Sequence, residues 1–276
     1  MNFLYFLFVL NLSNCEAALR VIGGRDALRE EFPFAIKLEI KEENLVEDKI
    51  VVNYEPLCTG AALTSEWILS AAHCYDKTLK TFARFNSYFP KEKGQISPIL
   101  DVHIHPQYIE YKFSAYYDMG LFRSKNILVS RYAKISALDY TALFGHEVNI
   151  LGFGATNASI NEKPLQVLNG MINKCSSVTN NFKILYEYSP LCVVSSCRVE
   201  ATICGGDSGG PVVHPSGIVG VNSMAENGCD EFTTSLELAP GTSAKIVSNN
   251  SKFIIFYSLN HATSKVMTCV DIFYIV

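Results

Sequence analysis

Short apolar runs, separated by Gly, Pro and charged residues, recur along the chain and predict β-strands. Residues 32–38, 50–52, 61–63 and 148–154 each have the length of a strand, and the last run ends in a tight Gly turn. The segment after position 208 also has the pattern of strands without a helix. The charged residues 41–48 predict a solvated loop. The overall pattern favours an all-β protein.

The start of the chain has the pattern of a secretory signal peptide. Residues 3–10 are apolar but too few to span a bilayer, and small residues follow, so residues 1–17 are predicted to be cleaved. The protein is therefore expected to be secreted and extracellular. Residues 18–20 would form a short propeptide, and residues 259–276 an atypical tail whose apolar end is again too short to span a membrane.

The composition of the 276 residues narrows the range of partners. The net charge of −4 gives no indication of a nucleic acid or an anionic membrane as partner, and we expect neither. Nine cysteines in a chain with a signal peptide predict disulfides formed in an oxidising compartment. Cys15 would leave with the signal peptide, so eight would remain.

The stretch at residues 204–210, Cys-Gly-Gly-Asp-Ser-Gly-Gly, carries the candidate chemistry. A serine hydroxyl is a weak nucleophile unless a base takes its proton, and flanking glycines allow backbone N–H groups to converge on a reacting oxygen. Ser208 also fits the G-x-S-x-G turn of α/β-hydrolases, which needs an acid and then a histidine later in the chain. Only His214 and His261 follow, and His214 is too close in sequence for that role, so we disfavour this alternative.

The other arrangement takes a histidine and an aspartate from before the serine. His73 lies in Leu-Ser-Ala-Ala-His-Cys at residues 69–74, and Asp118 lies in Tyr-Asp-Met-Gly-Leu at residues 117–121. Together with Val-Ile-Gly-Gly at residues 21–24 and the Ser208 motif, these segments follow in a fixed order. From about residue 21 to about residue 257, the chain resembles the trypsin/chymotrypsin-like serine proteases.

The resemblance implies a fold and a reaction. The fold would be two antiparallel Greek-key β-barrels packed face to face, residues 21–138 and 139–258, with the active site in the cleft and a short C-terminal helix. The enzyme would be a monomeric serine endopeptidase acting on proteins or peptides, open to protein protease inhibitors and needing no cofactor or metal. A protease-like binding protein without activity is the alternative, because Phe153 and Met224 depart from the family pattern.

Roles for individual residues follow from the same resemblance. Ser208 would attack the scissile carbonyl, His73 would be the general base and Asp118 would orient His73. Ser223 would support Asp118 and pair with the substrate backbone. The backbone N–H groups of Gly206 and Ser208 would form the oxyanion hole. A trypsin-like protease would activate the precursor through three further residues: Arg20, after which it cuts, Val21, which supplies a new α-amine, and Asp207, which pairs with that amine.

Disulfides and the substrate pocket are also implied by the resemblance. The expected bridges are Cys58–Cys74, Cys175–Cys192 and Cys204–Cys229, while the pairing of Cys197 and Cys269 stays open. Glycosylation acceptors occur at Asn157 and Asn249.

The primary pocket would have Thr202 as its floor and Ala225 and Gly241 as its walls. Because the floor has no charge to pair with Arg or Lys, we expect cleavage after Phe, Tyr, Leu or Met, with smaller residues as the second choice. The sequence leaves the physiological substrate open.

Overall fold

The computed structural model describes residues 24–111, 114–154, 164–174, 191–195, 203–225 and 243–247. Its strands, in chain order, are β1 (Arg25–Asp26), β2 (Ala35–Val46), β3 (Lys49–Ala62), β4 (Trp67–Ser70), β5 (Thr81–Phe85), β6 (Gln95–Pro98), β7 (Asp101–Ile104), β8 (Ile109–Tyr111), β9 (Ser114–Tyr116), β10 (Gly120–Arg123), β11 (Glu147–Gly152), β12 (Gln166–Lys174), β13 (Leu191–Ser195), β14 (Pro211–His214), β15 (Gly217–Ala225) and β16 (Ser243–Val247). In the described residues the only helical elements are two short 3-10 turns, Ala72–Cys74 and Tyr140–Leu143. The all-β prediction is confirmed. The predicted signal peptide, propeptide, C-terminal helix and tail lie outside the described residues.

The first sheet has seven antiparallel strands in the order β6-β5-β2-β3-β4-β10-β7. Its two outer strands, β6 and β7, are consecutive in the chain and are separated only by Ile99 and Leu100. Leu100 N–H donates to the Arg123 carbonyl of β10, and Ile99 N–H donates to the Thr81 carbonyl of β5. The sheet therefore curls until its two edges meet, as a small barrel requires.

The second sheet also has seven strands, in the order β1-β12-β11-β14-β15-β16-β13. An additional pairing of β12 with β13 closes the strands from β12 to β13 into a ring. The short strand β1 pairs with the first two residues of β12, with Arg25 opposite Val167. The beginning of the described chain therefore pairs with the second sheet and not with the first. The two curled antiparallel sheets are the double β-barrel of the predicted fold.

Alternation of buried and exposed side chains explains why these segments pack as sheets. In β5, Thr81, Ala83 and Phe85 are buried, while the two residues between them are only half-buried. Each barrel has an apolar core: Ile36, Leu38, Ile68 and Phe122 belong to the core of the first, and Val148, Ile150 and Val212 to that of the second. Across the described part of the chain, no helix has the length and apolar character needed to cross a membrane.

Residues 41–48, predicted as a loop, instead form the last part of β2 and the turn of a long hairpin. After a shift of register between Leu38 and Glu39, strands β2 and β3 pair without interruption until Val46 lies opposite Lys49, and only Glu47 and Asp48 turn the chain. Both turn residues have positive φ angles, 48° and 61°. Beyond Ile40, where the pairing of β2 with β5 ends, the hairpin continues as a two-stranded ribbon.

Candidate active site

The pairing of β4 with β10 brings His73 and Asp118 together. In this antiparallel pair Ser70, the last residue of β4, lies opposite Gly120, the first residue of β10. His73 follows β4 in the 3-10 turn Ala72–Cys74, and Asp118 precedes β10 by two residues. Two side chains that are 45 residues apart in sequence therefore meet at one end of the first sheet.

The Asp118 carboxylate is completely buried and accepts three hydrogen bonds. Its Oδ2 lies 2.6 Å from His73 Nδ1 and accepts a 2.6 Å hydrogen bond from Ser223 Oγ, while its Oδ1 accepts one of 2.9 Å from the His73 backbone N–H. Burial alone would raise the pKa of Asp118, but the hydrogen bonds from His73 and Ser223 outweigh burial and hold that pKa below its ordinary value. Asp118 is thus an anion that fixes the orientation of the His73 ring.

Ser208 lies at the junction of the two sheets, just before β14. Its carbonyl accepts a 2.8 Å hydrogen bond from the backbone N–H of Thr59 on β3, in the other sheet. The next residue, Gly209, has a φ of +75°, and a Cβ there would lie 1.9 Å from Ser70 Oγ, so no larger residue fits. The backbone on both sides of the Ser208 carbonyl is therefore packed against β3 and β4.

A disulfide ties this junction to the histidine. Cys58, which precedes Thr59, is bonded to Cys74, which follows His73, and the two Cα atoms are 6.1 Å apart. The bond therefore anchors the turn that carries His73 to the strand that holds the Ser208 carbonyl. The described cluster of candidate metal ligands, formed by Cys58, His73 and Cys74, offers no free thiolate because both sulfur atoms are in this bond.

The backbone N–H groups of Gly206 and Ser208 are available to a ligand. Among the described residues, neither the Gly206 N–H nor the Ser208 N–H donates a hydrogen bond to another residue. Gly206 has a φ of +95°, a conformation that favours glycine. The Ser208 hydroxyl also forms no hydrogen bond with any described residue, His73 included.

Asp207 points into the protein behind these amides and is almost wholly buried. Its Oδ1 accepts a 2.7 Å hydrogen bond from Gly154 N–H, and its Oδ2 accepts one of 2.8 Å from Cys204 N–H. Burial raises the pKa of Asp207 to about 6, although these two hydrogen bonds act in the opposite direction. Within the described residues no cationic side chain forms an ion pair with Asp207.

Several predicted site residues lie outside the described residues: Arg20, Val21, Thr202, Gly241, Cys175 and Cys229. Ala225 ends β15, and only its backbone is described. Cys192 and Cys204 are each in a disulfide. The Cys58–Cys74 bridge is the one predicted pair whose two members are both described.

Sequence reasoning missed Thr59, which has no accessible surface. Its hydroxyl donates a 2.7 Å hydrogen bond to the Gly206 carbonyl and accepts one of 3.0 Å from Phe153 N–H. The available signal was its position next to Cys58, the predicted partner of the cysteine beside His73. That signal indicates closeness to the site but not the hydrogen bonds that Thr59 forms.

Comparison with known proteins places this chain in a family. A sequence profile described as Trypsin matches residues 21–245. Trypsin iota of Drosophila melanogaster is 23% identical over 233 residues, 83% of this chain and 87% of the relative. Trypsin CFT-1 of Choristoneura fumiferana is 27% identical over 241 residues, 84% and 88% of the two chains. Granzyme M of Rattus norvegicus is 26% identical over 245 residues, 81% and 87%. The chain therefore belongs to the trypsin/chymotrypsin-like family of serine endopeptidases.

Proposed function

We propose that this protein is a secreted endopeptidase that hydrolyses peptide bonds with Ser208, His73 and Asp118 through an acyl-enzyme. The observation that carries the proposal is the buried Asp118 carboxylate bonded to His73 Nδ1 at 2.6 Å. An anion on Nδ1 leaves Nε2 as the basic atom of the ring, which is the arrangement a serine nucleophile requires. The links from Thr59 to Ser208 and from Cys58 to Cys74 support placing Ser208 beside that ring.

The first half of the reaction forms the acyl-enzyme. Ser208 Oγ bonds to the scissile carbonyl carbon while His73 Nε2 takes the hydroxyl proton, and the carbonyl oxygen becomes an oxyanion. The free N–H groups of Gly206 and Ser208 stabilise this negative charge. The oxyanion then collapses, the carbon–nitrogen bond breaks, and His73 returns the proton to the leaving amine.

The second half repeats these steps with water as the nucleophile. His73 Nε2 takes a proton from water, and the hydroxide oxygen bonds to the acyl carbon. The new tetrahedral oxyanion collapses and breaks the bond to Ser208 Oγ, which recovers the proton from His73. Asp118 stays ionised throughout and stabilises the imidazolium in each half, as its lowered pKa favours.

Activation by a trypsin-like protease is part of the proposal. Cutting after Arg20 frees the α-amine of Val21, which then pairs with Asp207. The buried Asp207, with a pKa raised to about 6, supports a requirement for such a cation, because an unpaired buried carboxylate is costly. The ion pair would hold Gly206 and Ser208 in the conformation that binds the oxyanion.

The substrate pocket is proposed from Thr202, Ser223, Ala225 and Gly241. Thr202 has no charge with which to neutralise an Arg or Lys side chain, so cleavage after large apolar or aromatic residues is preferred. The enzyme would act as a monomer made of two barrels, residues 21–138 and 139–258, and would be a target for protein protease inhibitors. Secretion and the bridges Cys175–Cys192 and Cys204–Cys229 belong to the same proposal.

Hydrolysis by the cut protein tests the proposed function. The precursor is cleaved after Arg20 with trypsin, the trypsin is removed, and the product is incubated with casein and a peptide library. Ser208→Ala and His73→Ala proteins, prepared in the same way, are the matched controls for contaminating trypsin. Hydrolysis above both controls supports the proposal, and wild-type hydrolysis no greater than the controls would favour an inactive protease-like binding protein.

A further inference from the structure

Thr59 is a single buried residue that contacts the backbone on both sides of Asp207. Its hydroxyl donates a 2.7 Å hydrogen bond to the Gly206 carbonyl, and its own N–H donates one of 2.8 Å to the Ser208 carbonyl. Each of these bonds joins the first sheet to residues of the second barrel, across more than a hundred positions of sequence. The carbonyl groups of the two residues that flank Asp207 therefore share one anchor on β3.

The direction of the Thr59 hydroxyl proton follows from its neighbours. A hydroxyl has one proton and can accept hydrogen bonds through its lone pairs. Phe153 N–H can only donate, so the Thr59 oxygen accepts that 3.0 Å bond and its proton goes to the Gly206 carbonyl. The amide of the next residue, Gly154, donates to Asp207 Oδ1. Consecutive amides just after β11 thus donate hydrogen bonds to Thr59 and Asp207.

Thr59 is itself rigidly held. Its carbonyl accepts a 2.8 Å hydrogen bond from Ser70 Oγ, and its neighbour Cys58 is covalently bonded to Cys74. By contrast, Gly206 has no side chain, and its φ of +95° is one of several conformations open to glycine. The hydrogen bond from the Thr59 hydroxyl to the Gly206 carbonyl removes much of that freedom, because the Gly206–Asp207 peptide plane cannot rotate without breaking it.

We propose that Thr59 is a positioning residue for the oxyanion-binding amides, and that its hydroxyl holds the Gly206–Asp207 peptide in the orientation catalysis needs. The inference rests on the proposed function, since it concerns the amides assigned to the oxyanion hole. None of the four bonds of Thr59 involves Val21. The proposed role of Thr59 therefore does not depend on a contact with Val21.

The test replaces Thr59 by valine, which has nearly the same shape but can neither donate nor accept this hydrogen bond. Thr59→Ser keeps the hydroxyl and serves as the rescue variant. Ser97→Ala is the matched control, because Ser97 Oγ also donates a 2.7 Å bond to a backbone carbonyl, that of Lys125, and accepts a bond from a backbone N–H. Ser97 forms no hydrogen bond with residues 206–209. All variants are cut after Arg20, and active sites are counted by titration.

The expected result is a change in kcat and not in substrate binding. Loss of the hydroxyl leaves two partly buried groups, the Gly206 carbonyl and the Phe153 N–H, without this partner. We therefore expect kcat of Thr59→Val to fall roughly 10- to 100-fold while KM changes by less than about threefold. Affinity for a peptide aldehyde, which forms a tetrahedral oxyanion with the serine, should fall in parallel. Thr59→Ser should keep most of kcat, and Ser97→Ala should stay close to wild type.

Other outcomes would contradict the inference or the proposed function on which it rests. If Thr59→Val matched Ser97→Ala in kcat and aldehyde affinity, or changed only KM, the positioning role would be wrong. If Thr59→Val did not fold, Thr59→Ala would take its place in the same comparison, since it removes the same two hydrogen bonds with a smaller side chain. A wild-type protein that neither hydrolyses peptides nor binds the aldehyde would contradict the proposed function itself.

Discussion

Ser223 Oγ donates a 2.6 Å hydrogen bond to Asp118 Oδ2, the same oxygen that lies 2.6 Å from His73 Nδ1. Ser223 is on β15 of the second sheet, whereas Asp118 precedes β10 of the first. The bond therefore crosses between the two barrels at the carboxylate that orients the histidine. A change in how the barrels pack against each other would reach the proposed catalytic residues through this contact.

We predict that Ser223→Ala lowers kcat/KM roughly 10-fold or more, because a hydrogen bond to a buried charged group is among the stronger ones. Its loss also raises the pKa of Asp118, so the deficit should grow as pH falls from 8 to 4. The measurement is the pH profile of kcat/KM. Ser124→Ala, which removes a 3.0 Å bond from a buried serine to the Pro98 carbonyl, is the control, and equal profiles for the two variants would contradict the prediction.

Asp207 should contribute less to the stability of the uncut precursor at neutral pH than in mild acid. Its folded pKa of about 6 is above the ordinary value of 3.8, so folding favours its protonated form. The resulting contribution, about 3 kcal/mol, is fully present below pH ~4 and is lost as pH rises through ~6. Urea unfolding at pH 4 and pH 7 measures it.

Asp207→Asn is the comparison for this effect, since the other titrating groups are shared by the two proteins. The wild-type precursor should lose more unfolding free energy than the variant between pH 4 and pH 7. An equal loss in the two proteins would show that Asp207 does not carry a raised pKa in the precursor.

Activation should depend on the bond after Arg20. Arg20→Gln protein cannot be cut there by a trypsin-like enzyme, so Asp207 gains no α-amine as its cationic partner. Its activity should therefore be at least 100-fold below that of the cut wild type. Mass spectrometry of the intact chain establishes that the variant is uncut. Full activity of that uncut protein would remove the role assigned to Val21.

The residue before the cleaved bond should be apolar. With uncharged Thr202 at the pocket floor, the cut enzyme should favour Phe, Tyr, Leu or Met over Arg and Lys in a peptide library. The preference among apolar residues should be broad, because each methylene of fit is worth only about 1–3 kcal/mol. Faster cleavage after Arg or Lys would refute this assignment of the pocket.

The sequence predicts the proposed catalytic residues better than it predicts the residues that hold them in place. His73, Asp118 and Ser208 each lie in a short contiguous motif, and the order of the motifs indicates the family and hence the two barrels. The role of Thr59 depends on a hydrogen bond to Gly206 across 147 positions of sequence, which no local pattern encodes.

The hairpin of β2 and β3 was mispredicted for a related reason. Residues 41–48 are rich in Glu, Lys and Asp, which are weak strand formers, and the turn at Glu47 and Asp48 has no glycine. What makes this segment a strand is its partner: Leu45 lies opposite Ile50 and Asn44 opposite Val51 in continuous register. Cross-strand pairing of this kind can override the propensity of one strand, and it is visible only when both strands are considered.

Ser208 should become a reactive nucleophile beside His73 once the chain is cut after Arg20. Labelling with a fluorophosphonate tests this most directly, because the phosphorus bonds only to an activated serine hydroxyl and the fluoride leaves. After peptide mapping by mass spectrometry, the cut wild-type protein should carry the label at Ser208, while the uncut precursor and cut His73→Ala should not. A cut wild-type protein that takes up no label, or takes it up at another residue, would show that Ser208 is not the activated nucleophile.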